Sequence, residues 1–214
     1  MGMTRRLIQL FWGLALYGIS LGLMVRANFG LDPWDVFHQG LSGRIGFSLG
    51  MTVNLVGAAV LLLWIPIRQR PGIGTIANVF LIGTFADISL WLIPPIHNVP
   101  LATAMLIGGV ILNGVATGAY IGAGLGPGPR DGLMTGLVKR TGGSVRVVRT
   151  GLEVAVLAAG WFLGGTVGLG TLLYAVAIGP IVHRMMPLFA IPEDVPAAPM
   201  VAPAGHCCPN SSDL

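Results

Sequence analysis

Residues 30–35 read GLDPWD, and residues 126–131 read GPGPRD. The two stretches lie 96 residues apart, and the same shift aligns much of the chain with itself without a gap. Matching glycines alone would be weak support, but the shift also pairs other residue types: Pro33 with Pro129, Asp35 with Asp131, Arg44 with Arg140, Ser48 with Ser144 and Thr75 with Thr171. A fixed internal period of this kind indicates a duplicated structural unit.

The composition is that of a membrane protein. Of the 214 residues, 54% are hydrophobic and 9% are charged, whereas about 25% of the residues of a typical soluble domain are charged. The mean hydropathy is +0.80. The formal net charge of +4 comes from Lys and Arg in short segments between apolar runs, without the basic stripe of a nucleic-acid-binding surface. We therefore expect the lipid bilayer, and no nucleic acid, as a partner.

Six apolar runs are long enough to cross a bilayer, whose hydrocarbon core of about 30 Å requires roughly 20 residues per helix. They lie near residues 7–27, 47–67, 72–95, 100–123, 148–166 and 168–190. The fifth run is the weakest of these, because Arg149 and Glu153 lie at its start. The pattern predicts an all-α polytopic membrane protein with six transmembrane helices.

Two stretches between the runs, residues 30–48 and 126–144, are too short and too polar to cross. In each, a Gly/Pro turn precedes a helix-compatible segment, with Pro33 or Pro129 at a suitable first helical position. The sequence thus predicts a short interfacial or re-entrant helix after the first span of each repeat.

Each repeat holds three spans, so the first (5–95) and the second (100–187) are predicted to cross the membrane in opposite directions, as inverted repeats. Lys and Arg gather in cytoplasmic loops. With the N-terminus in the cytoplasm, only Arg26 and Arg44 of the 12 Lys and Arg residues fall outside. Both termini are therefore predicted to be cytoplasmic. Residues 188–214, which include Cys207 and Cys208, are predicted to form a disordered cytoplasmic tail.

The duplicated motifs are the best candidates for a functional site. Helix N-termini can hold an anionic or polar group, and inverted repeats place two of them about one pseudo-two-fold axis. The alternative is structural, since an acidic residue in a first helical turn stabilises the helix dipole. Polar residues elsewhere could hydrogen-bond between helices or line the same site. The predicted substrate-binding residues are Asn28, Asp32, Asp35, Asn78, Arg130, Asp131 and Tyr174.

Charged residues within the runs also need partners, because a charge at the bilayer centre costs about 2.5 to 3.5 kcal/mol. Glu153 follows Arg149 by four residues, a spacing that favours an ion pair on one helix face. Asp87 has no obvious partner in the sequence. The spacings Gly18-x-x-x-Gly22, Gly114-x-x-x-Gly118 and Gly160-x-x-x-Gly164 are typical of close helix contacts.

The sequence resembles the YczE/YyaS/YitT family of bacterial integral membrane proteins. The resemblance rests on R-x-N-F-G-x-D-P-W-D at 26–35, on GLGPGPRDGLMTGL at 124–137 and on GIGT at 72–75, and it extends from Arg5 to Met186. It implies a multi-pass protein of the bacterial plasma (inner) membrane, described in such families only as a membrane or transport-related protein. No defined substrate comes with the resemblance.

Three functions are compatible with these patterns. The first is a secondary transporter or permease for a small polar or anionic solute, with its site between the inverted repeats. The second is a non-transporting accessory protein that regulates a membrane or biosynthetic complex through a partner. The third, a membrane enzyme, lacks a recognisable nucleophile or metal motif. We therefore expect a protein that is not an enzyme and has no catalytic residues, metal or cofactor; both a monomer and a homodimer stay open.

Overall fold

The computed structural model describes residues 2–191, which form eight α-helices and no β-strand. The predicted all-helical membrane protein is confirmed at this level. The helices are α1 (Met3–Ala27), α2 (Pro33–Ile45), α3 (Leu49–Ile67), α4 (Ile73–Leu92), α5 (Val99–Gly122), α6 (Pro129–Thr141), α7 (Val145–Leu163) and α8 (Leu169–Phe189).

The two predicted short helices are α2 and α6, and each begins at the predicted proline. Asp32 caps α2, because its side chain accepts a hydrogen bond from the backbone N–H of Asp35. The equivalent cap of α6 is Gly128, which offers no side chain. Each helix ends at a glycine in the left-handed conformation, Gly46 or Gly142, which terminates it after 13 residues.

The two halves of the chain share the same backbone turns. Helices α5 to α8 begin 96 residues after α1 to α4, respectively. Among residues 2–191, every residue with a positive φ belongs to one of four pairs, and the two members of each pair are 96 residues apart. These pairs are Asn28 with Gly124, Gly30 with Gly126, Gly46 with Gly142, and Arg68 with Gly164.

Five helices, namely α1, α3, α4, α5 and α8, are long and apolar enough to span a membrane. The fifth predicted span corresponds to α7, which is not among them. Arg146, Arg149 and Glu153 place three charges in the first half of that helix and lower its hydropathy. The chain is therefore a multi-pass helical membrane protein with several apolar helices.

At the C-terminal end, α8 continues to Phe189, so the first two residues of the predicted tail are helical. The remainder of that prediction, from residue 192 onward and including Cys207 and Cys208, lies outside the described residues.

The antiparallel pair α1 and α5 forms the centre of the bundle, with α4 against α1 and α8 against α5. Glycines allow this close approach: a Cβ at Gly13 would lie 2.7 Å from the backbone nitrogen of Tyr120, and one at Gly18 would lie 2.6 Å from the carbonyl oxygen of Ile82. The close-contact interpretation of Gly18-x-x-x-Gly22 is confirmed, because Gly22 likewise packs against Ser89.

The short helices pack across the two halves. Helix α2 lies against α7, where Gly160 meets the backbone of Phe37, and α6 lies against α3, where Gly132 meets the ring of Trp64. The Trp64 indole N–H also donates a hydrogen bond to the carbonyl oxygen of Pro129 at 3.0 Å. These contacts hold the start of each short helix inside the bundle.

The two halves differ most at one interface. Helix α3 packs along α4, whereas the equivalent helices α7 and α8 make at most a marginal contact. At Gly83 on α4, a Cβ would lie 2.1 Å from the carbonyl oxygen of Gly50 on α3. At Gly179, the equivalent position on α8, a Cβ would have nothing within 4 Å. A gap therefore separates α7 from α8.

Candidate functional site

A cavity of about 610 Å³ lies where the two halves meet. One wall comes from the N-terminal ends of α2 and α6, and another from residues on both sides of the gap between α7 and α8. The ionisable and aromatic residues along the wall are Tyr17, Asp32, Trp34, His38, Tyr120, Arg130, Asp131, Arg149, Glu153, Tyr174 and His183.

An ion-pair network connects the two short helices. One guanidinium nitrogen of Arg130, at the start of α6, lies 3.3 Å from Asp35 Oδ1 on α2. Its other terminal nitrogen lies 3.8 Å from Asp32 Oδ2, in the connection between α1 and α2. Both carboxylates are almost fully buried. Arg130 thus offsets charge that would otherwise be costly to bury.

His38 completes this network on the α2 side. Its Nδ1 lies 3.0 Å from Asp35 Oδ1, one helical turn earlier, and 3.5 Å from a guanidinium nitrogen of Arg130. Asp35 is fully buried, and its other oxygen, Oδ2, has no hydrogen-bond partner among the described residues. The network therefore holds one buried oxygen whose hydrogen-bonding capacity is unused.

Asp32 lies outside the helices that are long enough to span a membrane, and its ionisation is perturbed. Burial, and to a smaller extent the nearby carboxylate of Asp35, raise its pKa from 3.8 to about 7, while Arg130 acts in the opposite direction. Protonation of Asp32 therefore takes place near neutral pH.

Trp34 and Arg130 are equivalent residues of the duplicated motif, and they lie against each other. The guanidinium carbon is 5.2 Å from the centroid of the Trp34 ring, within the range of a cation–π interaction. The aromatic face and the two carboxylates together fix the orientation of Arg130.

The second motif places its acidic residue differently. Asp131 Oδ2 accepts a hydrogen bond from the Tyr120 hydroxyl at 3.1 Å. No Lys, Arg or His nitrogen of residues 2–191 lies within 4.0 Å of the Asp131 carboxylate, so it is not ion-paired there. Its equivalent, Asp35, contacts both Arg130 and His38.

Hydrogen bonds between spans support the floor of the site. The Tyr174 hydroxyl donates to Asn113 Oδ1 at 3.0 Å, and the Asn113 amide donates to Ser20 Oγ at 2.9 Å. The chain of bonds connects α8, α5 and α1. Asn113 is thus one of the polar residues that hydrogen-bond between helices, as expected for polar side chains within the apolar runs.

The structure brings most of the predicted site residues together. Five line the cavity: Asp32, Asn78, Arg130, Asp131 and Tyr174. Asp35 lies behind the wall, bonded to Arg130 and His38. Asn28 is not brought to the site: it is exposed and adopts positive φ at the C-terminal end of α1, where its backbone N–H bonds to the last turn. The asparagine at this position terminates helix α1 and is not part of the cavity wall.

Several wall residues were not predicted from the sequence. His38 could have been found from its spacing, because it follows Asp35 by three residues on one helix face. Trp34 is the repeat equivalent of Arg130, and Tyr17 is the repeat equivalent of Asn113. The duplication therefore gave a reason to consider Trp34 and Tyr17 as site residues. Tyr120 carried no such signal, because its equivalent is Met24, a residue without polar atoms.

A family profile described as a family of unknown function, DUF6198, matches residues 4–187. The chain belongs to the DUF6198 family. The match covers all eight helices except the first residue of α1 and the last two of α8.

Curated relatives of this DUF6198 chain agree with that assignment. An uncharacterized protein of Haemophilus influenzae is 37% identical over 87% of this chain and 86% of its own length. The uncharacterized membrane protein YczE of Bacillus subtilis is 36% identical over 80% of each chain. The uncharacterized protein YyaS of Bacillus subtilis is 28% identical over 84% of this chain and 92% of its own length. The predicted relationship to YczE and YyaS is confirmed, and no solved structure matches the chain.

Proposed function

We propose that the protein is a secondary transporter for a small polar solute and works by alternating access between two inverted three-helix repeats. The observation that carries this proposal is the cavity between the halves, whose wall is closed where α3 meets α4 and open where α7 leaves α8. An alternating-access site requires such a cavity between repeat units, with access from one side at a time.

The shared helix starts support an inverted architecture with six crossings. Helix α7 has the same length as α3 and begins 96 residues later, and α3 is apolar enough to span. Arg146 and Arg149 lie near one end of α7, where long cationic side chains can reach the interface. With three crossings in each half, the second half runs opposite to the first.

The distribution of Lys and Arg supports an orientation with both termini in the cytoplasm of a bacterial cell, in the inner membrane. In that orientation α2 and α6 are half-helices that reach the middle of the bilayer from opposite sides. Their N-terminal ends meet at the ion pair between Arg130 and Asp35. Such broken helices commonly surround the midplane site of secondary transporters.

The closed interface between α3 and α4 and the open gap between α7 and α8 then correspond to one state of the transport cycle, in which the cavity is open to one side of the membrane. The gap involves the first half of α7 and the second half of α8, so in the proposed orientation the cavity faces the cytoplasm. The closed interface of α3 and α4 lies on the outer side. If the halves exchange conformations, α7 closes onto α8 while α3 leaves α4, and the cavity faces outward.

The Asp87 side chain stabilises the closed interface between α3 and α4 on the outer side. Its Oδ1 accepts a hydrogen bond from the backbone N–H of Gly50 at 2.8 Å, and its Oδ2 accepts one from the Ser48 hydroxyl at 2.5 Å. The partners are the N-cap and the second residue of α3, which the sequence alone did not connect with Asp87. The equivalent residue on α8 is His183, and it lines the open cavity.

Cysteine cross-linking tests the proposed exchange without a known solute. The outer pair is Gly57→Cys with Val79→Cys, because a Cβ at position 57 would lie 3.4 Å from Val79 Cγ2. The equivalent inner pair is Glu153→Cys with Ala175→Cys. Cys207 and Cys208 are first replaced by serine in both proteins.

In membrane vesicles, a protein that alternates forms either disulfide, each in its own state, and locking one pair prevents the other from forming in the combined variant. A static protein forms the outer disulfide alone, and that result would overturn the proposal. Solutes that stabilise the purified protein in a thermal-unfolding screen then enter flux assays in liposomes. A solute at about 100 times its Kd adds about 2.7 kcal/mol to the unfolding free energy.

A further inference from the structure

The charges of the cavity wall do not balance. Its carboxylates belong to Asp32, Asp131 and Glu153, and its guanidinium groups to Arg130 and Arg149. Arg149 pairs with Glu153 at 2.9 Å, as their spacing predicted. Arg130 is shared between Asp32 and the buried Asp35. Among residues 2–191, the carboxylate of Asp131 therefore has no ion-pair partner within 4.0 Å, and Arg130 and Arg149 act on it only at longer range.

The repeat shows which group is missing. Asp35 in the first half is neutralised by a guanidinium from position 130 in the second half. By the repeat relation, Asp131 in the second half would be neutralised from position 34 in the first half. That position is Trp34, an aromatic residue without a charge. Asp131 thus occupies the equivalent of the Asp35 ion-pair site, but position 34 does not supply the cationic member.

Polar groups surround the Asp131 carboxylate. Gly128 takes the place of Asp32, so no second carboxylate caps α6. The position that a Cβ would take at Gly128 lies 3.1 Å from Asp131 Oδ2, 3.3 Å from the Tyr120 hydroxyl and 3.5 Å from the Asn78 amide nitrogen. The wall around Asp131 therefore carries a carboxylate, a hydroxyl and an amide, and all three residues line the cavity.

We infer that the cavity binds an organic cation, an ammonium compound whose positive group forms with Asp131 the contact ion pair that position 34 does not supply. This inference rests on the proposed transporter function and specifies its substrate class. The cavity volume of about 610 Å³ falls within the range of about 300 to 1,000 Å³ that is usual for organic ligands. Tyr17, Tyr120 and Tyr174 also line the cavity, and aromatic rings attract ammonium groups but not anions.

Equilibrium binding and thermal unfolding of the detergent-purified full chain test the inference. The probes are choline, ethanolamine and putrescine as cations, with glycolate, acetate and succinate as anions of similar size. We expect at least one cation to raise the Tm in a saturable way and the anions to have no such effect. An anion that stabilises the wild type, or a panel with no effect on folded protein, would overturn the assignment of substrate class.

Variants locate the site. Asp131→Asn is expected to weaken binding of the stabilising cation by about tenfold or more, because it removes one member of a desolvated charge pair. Asp131→Glu, which keeps the charge, should restore part of the affinity. Asp213→Asn is the matched control, because it removes a carboxylate near the C-terminus and should leave binding unchanged.

Two results would overturn the role of Asp131: unchanged cation affinity in Asp131→Asn, or equal loss of affinity in the Asp213→Asn control. If Asp131→Asn does not fold, comparison of Asp131→Glu with the wild type still reports on the carboxylate. The cysteine cross-links do not depend on any ligand. The proposed exchange and the proposed substrate class can therefore fail independently.

Discussion

Trp34 and Arg130 occupy the same position in two copies of one motif, and the guanidinium of Arg130 lies 5.2 Å from the centre of the Trp34 ring. In the proposed inverted arrangement, equivalent residues of the two repeats meet only near the axis that relates the copies, and this pair would mark that axis. The two members differ in chemistry. One supplies a charge to Asp32 and Asp35, and the other supplies an aromatic face.

Replacing Arg130 should destabilise the fold strongly. In Arg130→Gln, Asp32 and Asp35 stay buried without their cation, and breaking a buried pair in this way typically costs about 3 to 5 kcal/mol. We expect a large fall in Tm in detergent, and a partial recovery in the double variant Arg130→Gln, Asp35→Asn. If the two single substitutions and the double variant gave additive effects, the residues would not be coupled as described.

Asp32 predicts a specific pH dependence of stability. Because its pKa is raised in the folded state to about 7, the folded protein holds a proton that the unfolded chain has lost. The contribution of this group therefore destabilises the fold progressively from about pH 4 upward and fully above pH 7. Asp32→Asn cannot ionise, and asparagine is also a good N-cap.

The Tm of Asp32→Asn minus that of the wild type should therefore be larger at pH 8 than at pH 5. In free energy of unfolding, this shift between the two pH values is on the order of 2 kcal/mol, since one pKa unit equals 1.36 kcal/mol. Thermal unfolding of both proteins across this range measures the difference. A difference that does not vary with pH would show that Asp32 ionises at its ordinary pKa.

The equivalent glycines of α4 and α8 should respond differently to the same substitution. In Gly83→Ala the new Cβ would lie 2.1 Å from Asn54 Oδ1 and from the Gly50 carbonyl oxygen, and overpacking of this kind costs about 1 to 3 kcal/mol. Gly179→Ala meets no atom within 4 Å and should leave the Tm unchanged or raise it slightly through helix propensity. Equal effects at both positions would mean that the two interfaces are equally packed.

Removal of the Asp87 carboxylate should loosen the outer interface. Asp87→Ala deletes both hydrogen bonds to the start of α3, so the disulfide between Gly57→Cys and Val79→Cys should form more slowly. The control is Thr84→Ala on the same helix, whose hydroxyl bonds only within α4, to Phe80. An unchanged rate in the Asp87 variant would show that its hydrogen bonds do not hold α3 and α4 together.

Much of the backbone could be predicted from the sequence because its signals are local. Pro33 and Pro129 set the first residue of each short helix, and the helix starts of the first half recur 96 residues later in the second, at the shift that the sequence shows. The pair of Arg149 and Glu153 also follows from helical spacing alone.

Contacts between distant segments could not be predicted in this way. Asp87 finds its partners 37 and 39 residues earlier in the chain, at Gly50 and Ser48. Tyr120 joins Asp131 only because α5 and the start of α6 meet at the cavity. The open gap beside Gly179 has no sequence signal, because its repeat equivalent Gly83 is tightly packed.

The one-sided cavity has an electrical consequence. A volume of about 610 Å³ has room for about 20 water molecules at about 30 Å³ each. Such a column of water would carry the potential of the cytoplasm to the middle of the bilayer in the proposed orientation. Most of the voltage would then fall across the closed layer around α3 and α4, at about 2.3 kcal/mol per elementary charge for each 100 mV. A cation crossing that layer toward the cavity would be driven by nearly the whole membrane potential.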